Sequence, residues 1–369
     1  MNEENLAVLK LFLAADIGST RFFKLMETFG KAKNVFDASK ADLMNIAGIG
    51  EKTAESIIEI KGSGKAEKEL TSANNNNVDI ILFNGEGYPE PFKNYPDMPL
   101  VLYVKGYLLE NDYDSLAIVG SRKSTNYGKS VTADFAGYFA RKGITIVSGL
   151  ARGIDTEAHK AAIQNKGRTI AVLGNGILVN YPPENMILQA KIPENGALIS
   201  EYPLTRQPDK SSFPRRNRII SAISKATLVA EAALQSGALI TARCSAEYGK
   251  DVFVIPGSIY SECSQGTNSL IRDGALIALS PEDMAKQTPY FKLSDDQQPE
   301  QEQPELSNIL NNDEQSVLDL ISKSDEGIHT DEITQQLNIE ISKIAAIILK
   351  LELNGRIKSM PGQLYVKVR

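Results

Sequence analysis

Three arginines fall within four residues in Phe213-Pro214-Arg215-Arg216-Asn217-Arg218-Ile219-Ile220, and the nearest acid in sequence is Asp209. Guanidinium groups at that density, with Lys210 just upstream, suit the oxygens of a phosphodiester chain. Phe213 beside them offers a ring on which an unpaired base can stack, a contact worth about 1–3 kcal/mol per base. The competing reading is that one or two of the arginines form structural pairs inside the fold. Arg218, which leads straight into an apolar helix, is the first candidate for that.

Two glycine-bearing turns follow β-branched runs. Ile118-Val119 leads into Gly120-Ser121-Arg122-Lys123-Ser124 and a helix-like segment over 127–141. Glycine and serine permit the sharp turn, and the helix amides with Arg122 make an anion site. The run 144–147 leads into Ser148-Gly149-Leu150-Ala151-Arg152-Gly153-Ile154-Asp155. Gly149 and Gly153, with Arg152 between them, let a phosphodiester approach the backbone, and Asp155 is placed to cap the following helix. His159 on that helix has no serine or cysteine arranged beside it, so it reads as a structural hydrogen-bonding residue rather than a base. Ser236-Gly237-Ala238 with Thr241-Ala242-Arg243, and Pro256-Gly257-Ser258 ahead of Gly266-Thr267-Asn268, add further turn glycines. No catalytic constellation stands out.

The elements that must position these turns are legible as short β-branched runs alternating with helix-like segments from Val78 to about Ala285. Strands are expected at 80–83, 100–104, 116–119, 144–147, 169–173, 197–199, 227–230, 252–255 and 276–278, forming a parallel sheet with covering helices. Ligands of open α/β sheets bind beyond the carboxyl ends of the strands, which is where the glycine turns fall. Residues 1–77 read as a helical domain, with an apolar-Gly-apolar-Gly turn at Ile46-Ala47-Gly48-Ile49-Gly50 of helix-hairpin-helix form. Such a turn either grips a phosphate or simply joins two helices, and the segment's net charge of −1 favours the second reading. Asn74–Asn77 marks a loop or linker.

Residues 291–307 are acidic and Gln/Pro-rich, an expected flexible tether. Beyond it, helices near 313–322, 330–336 and 340–354 and a hairpin over 356–368 around Pro361-Gly362 give the order of a winged helix. The third helix carries only Lys343 and Lys350 as cations, which favours a protein-contact or auxiliary role over groove binding. The domain expectation is therefore 1–77 helical, 78–290 Rossmann-like, 291–307 tether and 308–369 winged helix.

The formal charge of −6 across 369 residues argues against a nucleic-acid partner until it is resolved by segment. Residues 78–290 carry 22 Lys+Arg against 21 Asp+Glu and hold the cluster around Phe213. A phosphate responds to the field within a Debye length, not to the chain average. Two cysteines, Cys244 and Cys263, without a CxxC pair, and two histidines exclude a zinc site or disulfide framework from expectation. No apolar run reaches the roughly 20 residues of a membrane span, and the acidic start of the chain is unlike a signal peptide, so a cytoplasmic location is expected.

The ordered series GSR, SGLARGID, AVLGNG with YPPEN, FPRRNRIIS, SGALITAR, VIPG and GTNSLIRDGA, from Gly120 to Ala275, resembles the Rossmann-like domain of the DNA-processing protein A (DprA/Smf) family. The resemblance extends to the flanks, where many members carry a SAM-like or helix-hairpin-helix domain and a winged helix. It implies a cytoplasmic, non-enzymatic recombination mediator. Such a protein binds and protects incoming single-stranded DNA during natural transformation, helps load RecA, and displaces or cooperates with single-strand-binding protein. Carried over by motif, DNA contact falls on Gly120, Ser121, Arg122, Lys123, Gly149, Arg152, Gly153, Phe213, Arg215, Arg216, Asn217, Arg218 and Gly237. The family's dimer contact places Leu270, Ile271 and Ile277 near a twofold axis, or leaves them as ordinary core. No cofactor or metal is implied. The chain departs from the family at Tyr181-Pro182-Pro183-Glu184-Asn185, because Pro183 stands where a lysine is common.

Two enzyme classes fit less well. Nucleotide hydrolases of the cytokinin-activating (LOG) type need a PGGxGTxxE-like loop, and no glutamate follows Pro256-Gly257-Ser258 or Gly266-Thr267 in that manner. A nicotinamide enzyme needs the G-x-G-x-x-G fingerprint, absent after every expected strand. A pure scaffold, with an incidental basic rim, is the remaining alternative.

Overall fold

The structure is a computed structural model and describes residues 2–83, 85–294, 312–322, 324, 327–337, 339–353, 356–360 and 364–367. Contacts divide the chain into two compact units, Met1–Pro299 and Glu300–Arg369.

The first unit opens with helices α1 (Glu3–Leu13), α2 (Ser19–Phe29), α3 (Ala32–Val35), α4 (Lys40–Met44), α5 (Glu51–Lys61) and α6 (Lys65–Asn75). Apolar residues at helical spacing, such as Ala54, Ile57 and Ile60 on α5, are buried where these helices meet. Gly48 at φ +94° makes the turn into α5 that the sequence suggested. Asn74 and Asn75 complete the last turn of α6, so the asparagine run is helical in its first half and a turn only afterwards.

Strands β1 (Val78–Leu82), β2 (Val101–Gly106), β3 (Ser115–Gly120), β4 (Thr145–Ser148), β5 (Thr169–Leu173), β6 (Gly196–Ser200), β7 (Ala226–Glu231), β8 (Asp251–Val254) and β9 (Leu276–Ile277) form one sheet in the order β1-β2-β6-β5-β4-β3-β7-β8-β9. Helices α7 (Asn126–Arg141), α8 (Ile154–Gln164), α9 (Met186–Lys191), α10 (Ser212–Ile223), α11 (Ala238–Glu247), α12 (Glu262–Arg272) and α13 (Pro281–Gln287) alternate with strands β3 to β9. All nine expected strands are present. The sheet is mostly parallel, as the expected fold class has it, with an antiparallel edge that strand composition does not reveal: β1 pairs antiparallel with β2, and β2 with β6. Parallel neighbours need a crossover, usually helical, whereas β1 and β2 are joined through a single 3-10 turn at Glu90–Asn94.

The chain winds from β3 outward through β4 and β5 on one side and resumes at β7 on the other, so the topological switch lies between β3 and β7. Crevices outside the carboxyl ends of strands at such a switch are where open α/β sheets take ligands. Phe291 packs its ring 5.8 Å from that of Phe139 and is buried, so the expected tether does not begin at residue 291. Its remainder from 295 onward lies outside the described residues.

The second unit contains α14 (Asn312–Ser322), β10 (Ile328–His329), α15 (Thr330–Leu337), α16 (Ile341–Leu353), β11 (Ile357–Met360) and β12 (Leu364–Lys367), with strand order β10-β12-β11. This is the winged-helix order with one short strand that sequence reading missed; Pro361-Gly362 lie outside the described residues. Ile344, Ile347, Ile348 and Leu351 bury one face of α16. Its Lys350 pairs with Glu314 of α14 at 2.6 Å. Among the described residues no helix is long and apolar enough to cross a membrane.

Candidate nucleic-acid interface

The turns after β3, β4, β5 and β7 converge with the start of α10 on one open groove. Gly120, Ser121, Arg122, Lys123, Lys210, Phe213, Arg216, Asn217, Ser236 and Gly237 line it. An adjoining pocket, which shares Arg122, Tyr181, Phe213 and Arg216 with it, is walled also by Gly149, Arg152 and Asn175. Arg122, Lys123, Arg152 and Lys210 are exposed cations of the rim, with Glu262 an exposed acid among the lining residues.

Aromatic and guanidinium planes organise the pocket. Tyr181 stacks on Phe213 with ring centroids 5.4 Å apart and planes 26° from parallel. The Arg122 guanidinium sits 5.1 Å from the centroid of Phe213. A flat cation over a half-exposed ring holds Arg122 near the mouth and leaves its N–H edge for an anion. In the sequence Tyr181 stands out only as part of a departure from the family pattern; its stacking partner lies 32 positions away, beyond local pattern.

Two glycines do steric work here. A Cβ on Gly149 would strike the Arg216 guanidinium, and a Cβ on Gly153, which sits at φ +79°, would strike the Ser121 carbonyl oxygen. The β3 and β4 turns thus touch through bare backbone, and the Ile154 amide donates to the Ser121 oxygen at 3.2 Å. Gly237 has open space where a Cβ would be, so its glycine is not sterically required.

The arginine cluster divides by helical geometry. On α10, positions 213, 216, 217 and 220 share the face that lines the groove, while 215 and 218 turn to another face. Arg216 is buried beneath the β4 turn and donates to the Gly149 oxygen at 2.7 Å and to the Val172 oxygen. Arg218 is buried and paired with Glu201 at 2.7 Å, with Asp97 at 3.6 Å. Arg215 is exposed but does not line the groove, and approaches Glu201 at 3.5 Å. A comb of three projecting guanidinium groups is therefore corrected to one exposed and two internal ones. Sequence reading named Arg218 as the structural candidate, but missed its acids: Glu201 follows β6 and Asp97 lies over a hundred residues upstream.

Asp155 is also reassigned. It sits inside α8 rather than at the cap, which is Gly153. Its buried carboxylate accepts from the Gly149 amide at 3.2 Å and the Ala151 amide at 3.3 Å, tying down the β4 turn from within. Burial pushes its pKa up while Arg216 opposes the shift, and burial draws Arg216 down to about 10. The anion expected at the start of α7 is supplied by the protein itself. Glu231, at the end of β7, accepts from the Thr125 amide at 2.8 Å and its hydroxyl at 2.7 Å, against the first turn of α7. His159 is buried, its Nδ1 2.6 Å from the Thr169 hydroxyl, which itself donates to the Ile146 oxygen. Nδ1 therefore donates, and burial with Arg216 nearby lowers the imidazole pKa to about 3. A histidine so placed supports the sheet and cannot act as a base on a ligand in the groove.

At the far edge of the sheet, Leu270 and Ile271 are half-buried against the core, while Leu276, Ile277 and Leu279 are 38%, 40% and 74% exposed. Among the described residues no group of His, Cys, Asp and Glu could hold a metal ion.

The family model for DNA recombination-mediator protein A matches residues 79–289, those for the DprA winged helix domain and the helix-hairpin-helix motif match 297–363 and 31–60. The chain belongs to the DNA recombination-mediator protein A family. Protein Smf of Escherichia coli (strain K12) is 39% identical over 299 residues, covering 79% of this chain and 78% of that one. Protein Smf of Synechocystis is 31% identical over 95% of both. Of solved structures, DprA from Streptococcus pneumoniae superposes with a TM-score of 0.67 at 34% identity, covering 78% of this chain and 98% of that one. A Helicobacter pylori DNA processing protein A, whose structure is described as revealing a single-stranded DNA binding mode, superposes with a TM-score of 0.52 at 31% identity, covering 58% and 96%.

Proposed function

We propose that the groove binds single-stranded DNA without sequence preference, and that the protein is a cytoplasmic, non-enzymatic mediator that protects the strand and helps load RecA on it during natural transformation. The carrying observation is the Tyr181–Phe213–Arg122 stack opening onto exposed Arg122, Lys123, Arg152 and Lys210. Stacking planes suit unpaired bases, which expose their faces, while the cations neutralise the backbone. Reading duplex bases would instead need a helix or ribbon projecting into a groove, and the site is concave. DNA contact is assigned to Gly120, Ser121, Arg122, Lys123, Arg152, Phe213 and Gly237 at the surface, with Gly149, Gly153, Arg216 and Asn217 shaping the backbone beneath. The likeness to the Helicobacter pylori protein supports the choice of ligand.

Homodimerisation is assigned to the β9 edge, where exposed Leu276 and Ile277 lie on a strand with one free side. Fluorescence anisotropy of the full chain with matched oligo-dT and duplex tests the ligand. Affinity should favour the single strand and fall steeply as salt rises. Equal affinity for duplex, or none for either, overturns the assignment. RecA filament growth on DNA coated with single-strand-binding protein, with and without this protein, tests the mediator role.

A further inference from the structure

Arg152, an exposed cation of the pocket wall, is already engaged by an acid. Its Nε and Nη2 donate to Glu184 at 3.1, 2.9 and 3.2 Å, in a forked arrangement that presents the guanidinium edge to the carboxylate. That edge is the one a phosphodiester would take. Both side chains are more than half exposed, at 53% and 61%, so the pair is solvated and separable rather than a buried structural bridge.

The partners do not meet by chance of rotamer. Next to Glu184, the buried Asn185 donates to the Leu150 oxygen at 2.9 Å and the Thr156 hydroxyl at 2.8 Å. Those bonds fasten the Tyr181–Asn185 turn to the β4 turn that carries Arg152. The same turn contributes Tyr181 and Pro182 to the pocket wall. Glu184 is therefore held against Arg152 of the pocket wall, beside a groove whose exposed lining carries the cations Arg122, Lys123 and Lys210 and one acid, Glu262.

We propose that Glu184 is an affinity-limiting residue of the DNA site: it occupies the phosphate-binding edge of Arg152 and must be displaced when a strand enters. Resting on the single-strand reading above, this makes the carboxylate an internal stand-in for a phosphate. Binding exchanges one anion for another at Arg152, and the site discriminates against weakly charged or short ligands that cannot compete. A bound strand then gains less from Arg152 than an unengaged arginine would supply.

The test uses anisotropy with oligo-dT on the full chain across a salt series for wild type, Glu184→Gln, Arg152→Ala, the double variant and Arg122→Ala. Glutamine keeps the shape and removes the charge at a solvated position, so the melting curve should be unchanged. Glu184→Gln should raise affinity by about threefold to tenfold and steepen the slope of log affinity against log salt by up to about one. In the Arg152→Ala background the same substitution should give little further gain. An equal gain with and without Arg152 would mean simple repulsion and overturn the proposal, as would no gain in Glu184→Gln while Arg122→Ala weakens binding. If Arg122→Ala also has no effect, the failure lies in the single-strand reading itself.

Discussion

Arg122 and Arg216 are chemically identical, line the same groove and do opposite work. Arg122 lies at the rim over the Phe213 ring with its edge toward solvent. Arg216 lies in the floor, its Nη1 donating to the Gly149 and Val172 carbonyls, its Nε to Asn217 Oδ1, and its charge opposing the burial shift of Asp155. The rim arginine is free to exchange partners with a ligand, whereas the floor arginine shapes the loop that the ligand meets. Counting cations near a site therefore overstates its contacts, and burial with engagement by backbone carbonyls separates the two kinds.

The comparison breaks most visibly through Arg216→Ala. Removing it takes this donor from the buried Gly149 and Val172 carbonyls, at about 1–3 kcal/mol for each group left unsatisfied, and removes the charge that opposes the upward shift of buried Asp155. Thermal unfolding of the first unit should fall by many degrees, and unchanged stability would place Arg216 with the rim. Gly149→Ala pushes a methyl into the same guanidinium and should cost about 1–3 kcal/mol by overpacking, read from denaturant midpoints. Arg122→Ala should change stability by less than about 1 kcal/mol, since its contact is a partly solvated cation–π pair. The smallest effect is an absence of titration. His159 has its pKa lowered to about 3, so its C2–H resonance should hold the neutral shift from about pH 7 to about pH 5. The same sign makes the neutral ring's stabilisation complete above the unfolded pKa near 6.5 and progressively lost as pH falls toward 3.

Much of this was legible beforehand because it is local. Most of the nine strands are short apolar runs rich in β-branched residues and ended by a turn residue, and the switch-point turns carry Gly120, Gly149 and Gly237 in plain view. The division of the arginine cluster was also readable in principle: three arginines in four residues of a helix cannot share one face at 100° per residue. What escaped was long-range. Glu201 and Asp97 claim Arg218, Glu231 claims the start of α7, and Asn185 ties two turns 35 residues apart, none of which leaves a sequential trace. The antiparallel edge at β1 and β2 was missed for a related reason, since pairing direction is a property of connection and not of strand composition.

The sharpest single measurement compares two exposed arginines that differ in placement. Arg122 lines the groove; Arg215, equally charged and outside it, faces Glu201. Oligo-dT affinity of the full chain at fixed low salt should fall at least about tenfold in Arg122→Ala and stay within about threefold of wild type in Arg215→Ala. Equal losses in the two variants would show that diffuse charge, not a shaped groove at the β3–β7 switch, holds the strand.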